Sequence, residues 1–291
     1  MLDSRIETFL TVCRVMNYTK AAEQLHISQP AVSQHIHWLE DCYSTPLFVY
    51  EGRKLRLTAE GHLLFHAASA MASDERALKA QLQHNAKERF VFGATLTIGN
   101  FVLPAKIKQY LQKYPQAEIT MRVDNTESLL QSLDAGTIDF AVLEGYFRKS
   151  MYAYEVYSNE RFICVCKGDY HFSAEPQTIR DLFSEQLILR ESGSGSREIL
   201  ERQLMEQNFS IQDFDRLLQI GSIHAIISLV CAGCGITFLY EAAVRAELAS
   251  GILRRIELSD FHVEHPFTIV WRKDSLFNAE YRKQFSALLM E

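Results

Sequence analysis

Apolar residues recur at helical spacing through the first forty positions. Ile6, Phe9, Leu10 and Val12, with Cys13 and Met16, form one face over residues 2–16, which predicts an amphipathic helix. Residues 18–40 divide into two short helices with a tight turn between them. Thr19 is placed to cap the first, Ala22 is small enough for a close crossing, and Leu25 and Ile27 are apolar at the turn. Ser28 suits the N-cap of the second helix, and Pro30 is tolerated in its first turn. Val32, Ile36 and Leu39 then make one buried stripe, whereas Pro30, Ser33, Gln34 and His37 share another face. Pro46 stops helix. Phe48-Val49-Tyr50 and Leu55-Arg56-Leu57 flank Glu51-Gly52-Arg53-Lys54 and predict a hairpin with basic residues near its tip. Thr58 can cap a long helix over 59–88, in which Leu64, Met71 and Leu78 fall at heptad spacing beside Leu63, Ala67, Ala68 and Leu82. Asp74 interrupts that stripe, so a long parallel zipper is not expected. The helix is either an ordinary domain helix or a dimerisation helix.

From Phe90 onward strands and helices alternate. Strands are expected at 90–92, 117–123, 139–143, 162–166, 187–189, 217–220, 236–239 and 267–271. Helices are expected at 103–114, 127–135, 178–184, 197–207, 224–232 and 279–289. Alternation of this kind predicts α/β packing with a parallel sheet. No internal repeat and no low-complexity tract is present.

The two short helices have the geometry of a helix-turn-helix whose second helix enters the major groove of double-stranded DNA. A plain helical hairpin with a polar outer face would show much the same periodicity, so the residue detail has to decide. Ala21-Ala22-x-x-Leu25-His26-Ile27-Ser28-Gln29-Pro30-Ala31-Val32-Ser33, then Ile36, Leu39-Glu40, Pro46-Leu47-Phe48 and Leu57-Thr58-x-x-Gly61, resembles the N-terminal signature of LysR-type transcriptional regulators. The match spans about the first sixty residues. It continues less specifically through Pro104, Tyr114-Pro115, Gly136-x-Ile138-Asp139 and Gly233-x-Gly235-Ile236. It implies a winged helix-turn-helix over 1–58, a linker and dimerisation helix over 59–89, and an effector domain over 90–291. That domain would resemble type-2 periplasmic binding proteins, with lobe one at 91–163 plus 268–291 and lobe two at 164–267. The expected DNA contacts are Thr19, Lys20, Ser28, Gln29, Pro30, Ser33, Gln34 and His37, with Arg53, Lys54 and Arg56 on phosphate. The family usually carries Arg where this chain has Tyr50. The resemblance also implies a homodimer, a homotetramer through the effector domains, and RNA polymerase as a further partner.

Composition adjusts this picture slightly. The 291 residues are 47% hydrophobic with a formal net charge of −6, enough for two or three compact units. In residues 1–58, Arg5, Arg14, Lys20, Arg53, Lys54 and Arg56 are offset by Asp3, Glu7, Glu23, Glu40, Asp41 and Glu51. The reading head is therefore only neutral, with His26, His35 and His37 as sources of partial charge near phosphate. The N-terminus opens with Asp3 and Arg5 rather than an apolar run, so a cytoplasmic protein with reduced cysteines is expected.

The clearest ligand candidate is Arg190-Glu191-Ser192-Gly193-Ser194-Gly195-Ser196-Arg197, a glycine-rich turn feeding a helix. Backbone N–H groups, hydroxyls and the positive end of the helix dipole favour an anion there; a flexible loop with a capping serine is the blander alternative. Thr95 and Thr97 precede one helix and Ser222 precedes another, so Thr95, Thr97, Ser194, Ser196, Arg197 and Ser222 form the expected site for a small anionic effector between the lobes. Arg197 has an alternative partner in Glu201, one turn on. This loop resembles the branch of the family that includes regulators of sulfur and cysteine metabolism. Cys164-x-Cys166 and Cys231-x-x-Cys234 invite a metal or redox reading, yet small buried side chains explain them equally. No cofactor, no metal and no catalytic constellation is expected. The leading function is a ligand-responsive DNA-binding regulator; the rivals are a solute-binding protein without DNA activity and a cytosolic enzyme on the same scaffold.

Overall fold

The structure, a computed structural model, describes residues 2–82, 89–273 and 275–290. Three helices open the chain: α1 (Ser4–Val15), α2 (Tyr18–Leu25) and α3 (Gln29–Tyr43). Asp3 caps α1, and Ser28 caps α3 by accepting from the Ala31 amide at 3.3 Å. Asn17, rather than Thr19, caps α2: its backbone is extended, and its side chain accepts from the Lys20 amide at 2.9 Å. Thr19 already lies inside the helix, where its hydroxyl cannot reach a free first-turn amide. Phe9, Leu10, Val12, Ala21, Ala22, Val32, Ile36 and Leu39 fuse the three helices into one buried core.

The hairpin follows as β1 (Phe48–Glu51) and β2 (Lys54–Leu57), antiparallel, with Glu51 opposite Lys54 at the turn. Glu40 ties it to α3, accepting from the Leu47 and Phe48 amides at 2.8 and 3.4 Å. Helix α4 (Ala59–Leu82) is capped by the Thr58 hydroxyl, which accepts from the Gly61 amide at 2.9 Å. Gly61 is required here, because a Cβ would sit 2.1 Å from the Leu47 carbonyl oxygen. The expected continuation of this helix over 83–88 lies outside the described residues.

Helix α4 has three different sides. Leu64, Phe65 and Ala72 are partly buried and pack against the winged-helix core. The outward row is Leu63, Met71, Leu78 and Leu82, with Leu63 73% exposed. A third side docks on the following domain. Ser69 O accepts from Arg272 Nη1 at 3.0 Å, Asp74 accepts from the Ser275 hydroxyl at 2.6 Å and the Leu276 amide at 3.1 Å, and Arg76 donates to Gly136 O.

The C-terminal domain runs β3 (Arg89–Ala94), a wide helical turn (Ile98–Val102) entering α5 (Leu103–Lys113), β4 (Glu118–Val123), α6 (Thr126–Asp134), β5 (Phe140–Leu143) and β6 (Tyr152–Lys167). Then come β7 (Gln186–Leu189), α7 (Gly195–Glu206), β8 (Arg216–Gln219), α8 (Ile223–Cys231), β9 (Thr237–Tyr240), α9 (Arg245–Ala249), β10 (Leu253–Ile256), β11 (Val263–Arg272) and α10 (Asn278–Phe285). One sheet has the order β10-β6-β11-β5-β3-β4, with β9 also on β6; β7 and β8 form a second. Pairing is parallel within β3, β4 and β5 and within β7 and β8, as alternation predicts, but antiparallel around β6 and β11.

Strands β6 and β11 give the domain two lobes. β11 pairs with β5 over Thr268–Trp271, whereas β6 pairs with β9 and β10 beyond Phe162. Between these ends the two strands run side by side, with a register shift at Phe267/Thr268. Both are longer than the apolar runs suggest, because the first part of β6 is largely half-exposed and polar, and β11 carries the polar or partly exposed Glu264, His265 and Pro266 near its start, before its buried run.

Candidate DNA-reading surface and effector cleft

Helix α3 presents Gln29, Pro30, Gln34 and His37 to solvent, with Ser33 half-buried between them. Gln29 Nε2 donates to Ser33 Oγ at 3.0 Å, and His37 Nδ1 lies 3.3 Å from Glu40 Oε2. Among the described residues, the Gln34 side chain has no partner. Ser28 sits at the helix start with its hydroxyl used by the cap, and Thr19 and Lys20 are exposed at the start of α2. At the hairpin tip Arg53 and Lys54 are exposed, with no ion pair among the described residues. Arg56 instead pairs with Glu51 at 2.6 Å across the hairpin. His35 is half-buried, its Nδ1 2.8 Å from the Thr8 hydroxyl.

The second region lies where the lobes meet. Thr95 and Thr97 follow β3, Thr126 opens α6, and Glu144 follows β5. Across from them, Arg190 follows β7, and Ser194 and Ser196 open α7. All seven side chains are buried. Gly145 and Gly195 bring the two backbones into contact, since a Cβ on Gly195 would lie 2.9 Å from Gly145 Cα and 3.3 Å from Glu144 Cγ. The Glu144 amide donates to Thr95 Oγ1 at 3.2 Å, and the Ser194 and Ser196 hydroxyls are 3.1 Å apart.

Four buried atoms of this cluster have no hydrogen-bond partner among the described residues: Thr97 Oγ1, Thr126 Oγ1, Glu144 Oε2 and Arg190 Nη1. Buried polar atoms are normally satisfied, so a group of four at one place is chemically informative. Burial pushes the Glu144 carboxyl up to about 7, against the opposing pull of Thr97, Arg190 and Thr95. Arg190 is bidentate on Glu191, at 2.7 Å for both bonds, which leaves Nη1 over.

Two expected members stand apart from this cluster. Arg197 is engaged by Glu201 at 2.8 Å, Gln219 at 2.8 Å and Arg190 O at 3.1 Å, the alternative orientation that its spacing to Glu201 allows. Ser222 is exposed and caps α8 by accepting from the Ala225 amide at 3.4 Å. Conversely, Thr126 and Glu144 belong to the cluster with no place in the expected set, and Arg190, the first residue of the glycine-rich candidate loop, joins it although it is not among the expected contacts. Glu144 is a carboxylate at the end of the apolar strand 140–143, which is the one local sign it carries.

The cysteines are free. Cys164 and Cys166 lie in the main core, and burial raises both thiols, Cys166 to about 11, which suppresses the reactive thiolate. Among the described residues no group of His, Cys, Asp and Glu could hold a metal ion, and no helix is long and apolar enough to cross a membrane.

Comparison with known proteins bears on both regions. Residues 4–62 match the bacterial regulatory helix-turn-helix proteins of the lysR family, and residues 83–289 match the LysR substrate binding domain. The chain is 28% identical over 265 residues to the uncharacterized HTH-type transcriptional regulator MJ0300 of Methanocaldococcus jannaschii, covering 89% of each chain. It is 27% identical over 270 residues to the HTH-type transcriptional regulator CysL of Bacillus subtilis, covering 91% of this chain and 89% of that one. In fold it is similar to ArgP from Mycobacterium tuberculosis, with a TM-score of 0.74 at 19% identity over 99% of this chain and 97% of that one. With both of its domains matched, the chain belongs to the LysR family of DNA-binding transcriptional regulators, in which a winged helix-turn-helix is joined to an effector-binding domain.

Proposed function

We propose that this protein reads a dyad operator with α3 and the hairpin wing of two copies, and alters its grip when a small anion binds between the lobes. The division of labour is a reading head at 1–58, a clamp at 59–89 and a sensor at 90–291, with lobe one at 91–163 and 268–291 and lobe two at 164–267. One reading head covers half of a dyad site, so two heads must be held at fixed spacing. The outward row Leu63, Met71, Leu78 and Leu82 supports a homodimer through α4. A tetramer would follow from pairing of sensor domains. The protein would act in the cytoplasm, without enzymatic activity of its own and with RNA polymerase as a further contact.

The observation that carries the sensing role is the set of buried, unpartnered polar atoms on Thr97, Thr126, Glu144 and Arg190 beside the start of α7. Hydroxyls, a guanidinium nitrogen and helix-terminal amides are donors for a carboxylate or an inorganic oxyanion. Thr95, Thr97, Ser194 and Ser196 remain the proposed contacts, joined by Arg190; Arg197 and Ser222 would brace the loops on either side. Sensing would work by differential affinity for two arrangements of the lobes, about 1–3 kcal/mol being typical of such coupling. The docking of α4 on Arg272, Ser275 and Gly136 would carry a lobe movement to the reading heads.

Calorimetric titration with small carboxylates, sulfate, sulfite and phosphate tests the sensor. Wild type should bind one of these, and Thr97→Ala/Ser196→Ala should lose it. Anion binding left intact in the double variant would reject the site, as would tight binding of a large apolar molecule. An electrophoretic shift on the gene's own upstream DNA tests the reading role.

A further inference from the structure

We propose that the anion enters the cleft together with a proton, which Glu144 holds and shares with it. This rests on the effector cleft proposed above and deepens it. Glu144 is 2% exposed, and its Oε2 has no hydrogen-bond partner among the described residues. Its carbon chain faces the start of α7, where the ligand is expected.

The charges around Glu144 decide its state. From beyond β7 comes Arg190, whose charge is largely spent on Glu191 at 2.7 Å. From β9 comes the Tyr240 hydroxyl, which donates to the Glu144 carbonyl at 3.1 Å and lies 3.2 Å from His265 Nδ1 on β11. Burial holds His265 below its ordinary range, so it supplies no positive charge at neutral pH. Beyond it, Arg202 of α7 stacks on Tyr146 at 3.6 Å, with its guanidinium also on Glu198 at 2.8 Å. From beyond β3 come the hydroxyls of Thr95 and Thr97 and the Thr97 backbone amide, which draw the carboxyl down against the larger effect of burial, and from α6 comes the Thr126 hydroxyl.

An ionised Glu144 therefore leaves the group formed by buried Glu144, buried Arg190 and half-buried Glu191 with one net negative charge. An arriving anion would meet a carboxylate a few ångströms away, with no spare cation between them. Two like charges in one dry site cannot both persist, and the usual resolution is protonation of one. Protonated Glu144 removes that repulsion and turns its unpartnered oxygen into an O–H donor aimed at the ligand. No bond beyond O–H changes: the proton comes from solvent, and the carboxyl becomes neutral as the anion binds. Burial has already brought this carboxyl near neutrality, so little further shift is needed for uptake at physiological pH.

The chemical class follows. The ligand is a small anion rich in acceptor oxygens, such as a carboxylate or an inorganic oxyanion. A zwitterion would do the reverse, placing its ammonium on an ionised Glu144, and would bind more tightly as pH rises.

The experiment is calorimetric titration of the full chain with sulfate, acetate and oxalate, none of which changes charge between about pH 6 and about pH 8.5. Wild type and Glu144→Gln are compared, since Gln keeps the shape and a donor but cannot titrate. Wild-type affinity should fall by up to about tenfold per pH unit above pH 7. The wild-type heat at pH 7 should depend on the ionisation enthalpy of the buffer, which reports proton uptake without any variant. Glu144→Gln should bind with no pH slope and no buffer dependence. A pH-independent wild-type affinity with no buffer effect would overturn the proposal and leave the anion site standing. So would an unchanged slope in Glu144→Gln, or exclusive binding of glycine in a parallel titration. If no anion binds either protein at any pH, the cleft reading falls and this inference with it.

Discussion

The reading surface and the cleft treat polar side chains in opposite ways. On α3 and the wing, the side chains of Gln34, Arg53 and Lys54 stand in water without partners among the described residues. Water satisfies them, so they cost the folded chain nothing, and under the proposed reading role they would contribute only when DNA replaces that water. In the cleft, Thr97, Thr126, Glu144 and Arg190 keep unpartnered atoms away from solvent. Those atoms burden the folded chain before any ligand arrives, and a ligand that pairs them recovers that cost. An exposed set can therefore vary with little effect on folding, whereas a buried set links folding, protonation and binding.

Helix α4 carries both kinds of position side by side, and it gives the largest expected effect. Leu64→Glu would bury a charge against the winged-helix core and should unfold the head or cost about 3 kcal/mol or more. Leu63→Glu, one position away on the exposed row, should leave the melting behaviour of the head intact and disperse the dimer in sedimentation velocity. If both variants sediment as wild type does, α4 is not the clamp.

Next comes the cleft carboxyl. Glu144 is raised from an ordinary carboxyl value to about 7, so the folded chain holds more protons than the unfolded one between about pH 4.5 and pH 7. Stability from this group is therefore full below the unfolded value and falls as pH rises toward 7. Glu144→Gln should match wild type near pH 4.5 and exceed it above pH 7, by up to about 3 kcal/mol in chemical denaturation. A constant difference across that range would place the effect elsewhere.

The reading surface should behave differently. Gln34→Ala should shift preference at one base pair by about 1–3 kcal/mol, measured by anisotropy on operator variants, with stability unchanged within about 0.5 kcal/mol. A stability loss larger than that would break the contrast between the two regions. Smallest is Arg53→Ala, which should weaken all sequences alike and reduce the salt slope by about one. Sequence-dependent weakening by Arg53→Ala would assign base reading to the wing.

Much of the head was legible because its signals are local. Ser28, Pro30 and the spacing of Val32, Ile36 and Leu39 lie within a few turns of one helix, and all three stripe residues are buried as that spacing requires. The hairpin is equally local, with Gly52 in the left-handed region between two short strands. Where neighbouring residues compete for one role, the pattern misleads: Asn17 takes the cap from Thr19, a difference of backbone angle that periodicity does not carry.

Taken alone, the chain's own order of residues determined the winged helix, the long helix, the alternation of strands and helices, and the glycine-rich entry into α7. These follow from caps, turns and spacings within a few residues of each other. The tertiary structure alone decided that Arg197 turns to Glu201 and Gln219, that His35 turns to Thr8, and that Glu144 and Arg190 share one buried place. Glu144 ends a strand of one lobe, and Arg190 ends a strand of the other. Their meeting depends on β6 and β11 carrying the chain between lobes, and on Gly145 and Gly195 letting the two backbones touch. A charge becomes costly or useful only once its surroundings are set, and those surroundings come from segments distant in the chain.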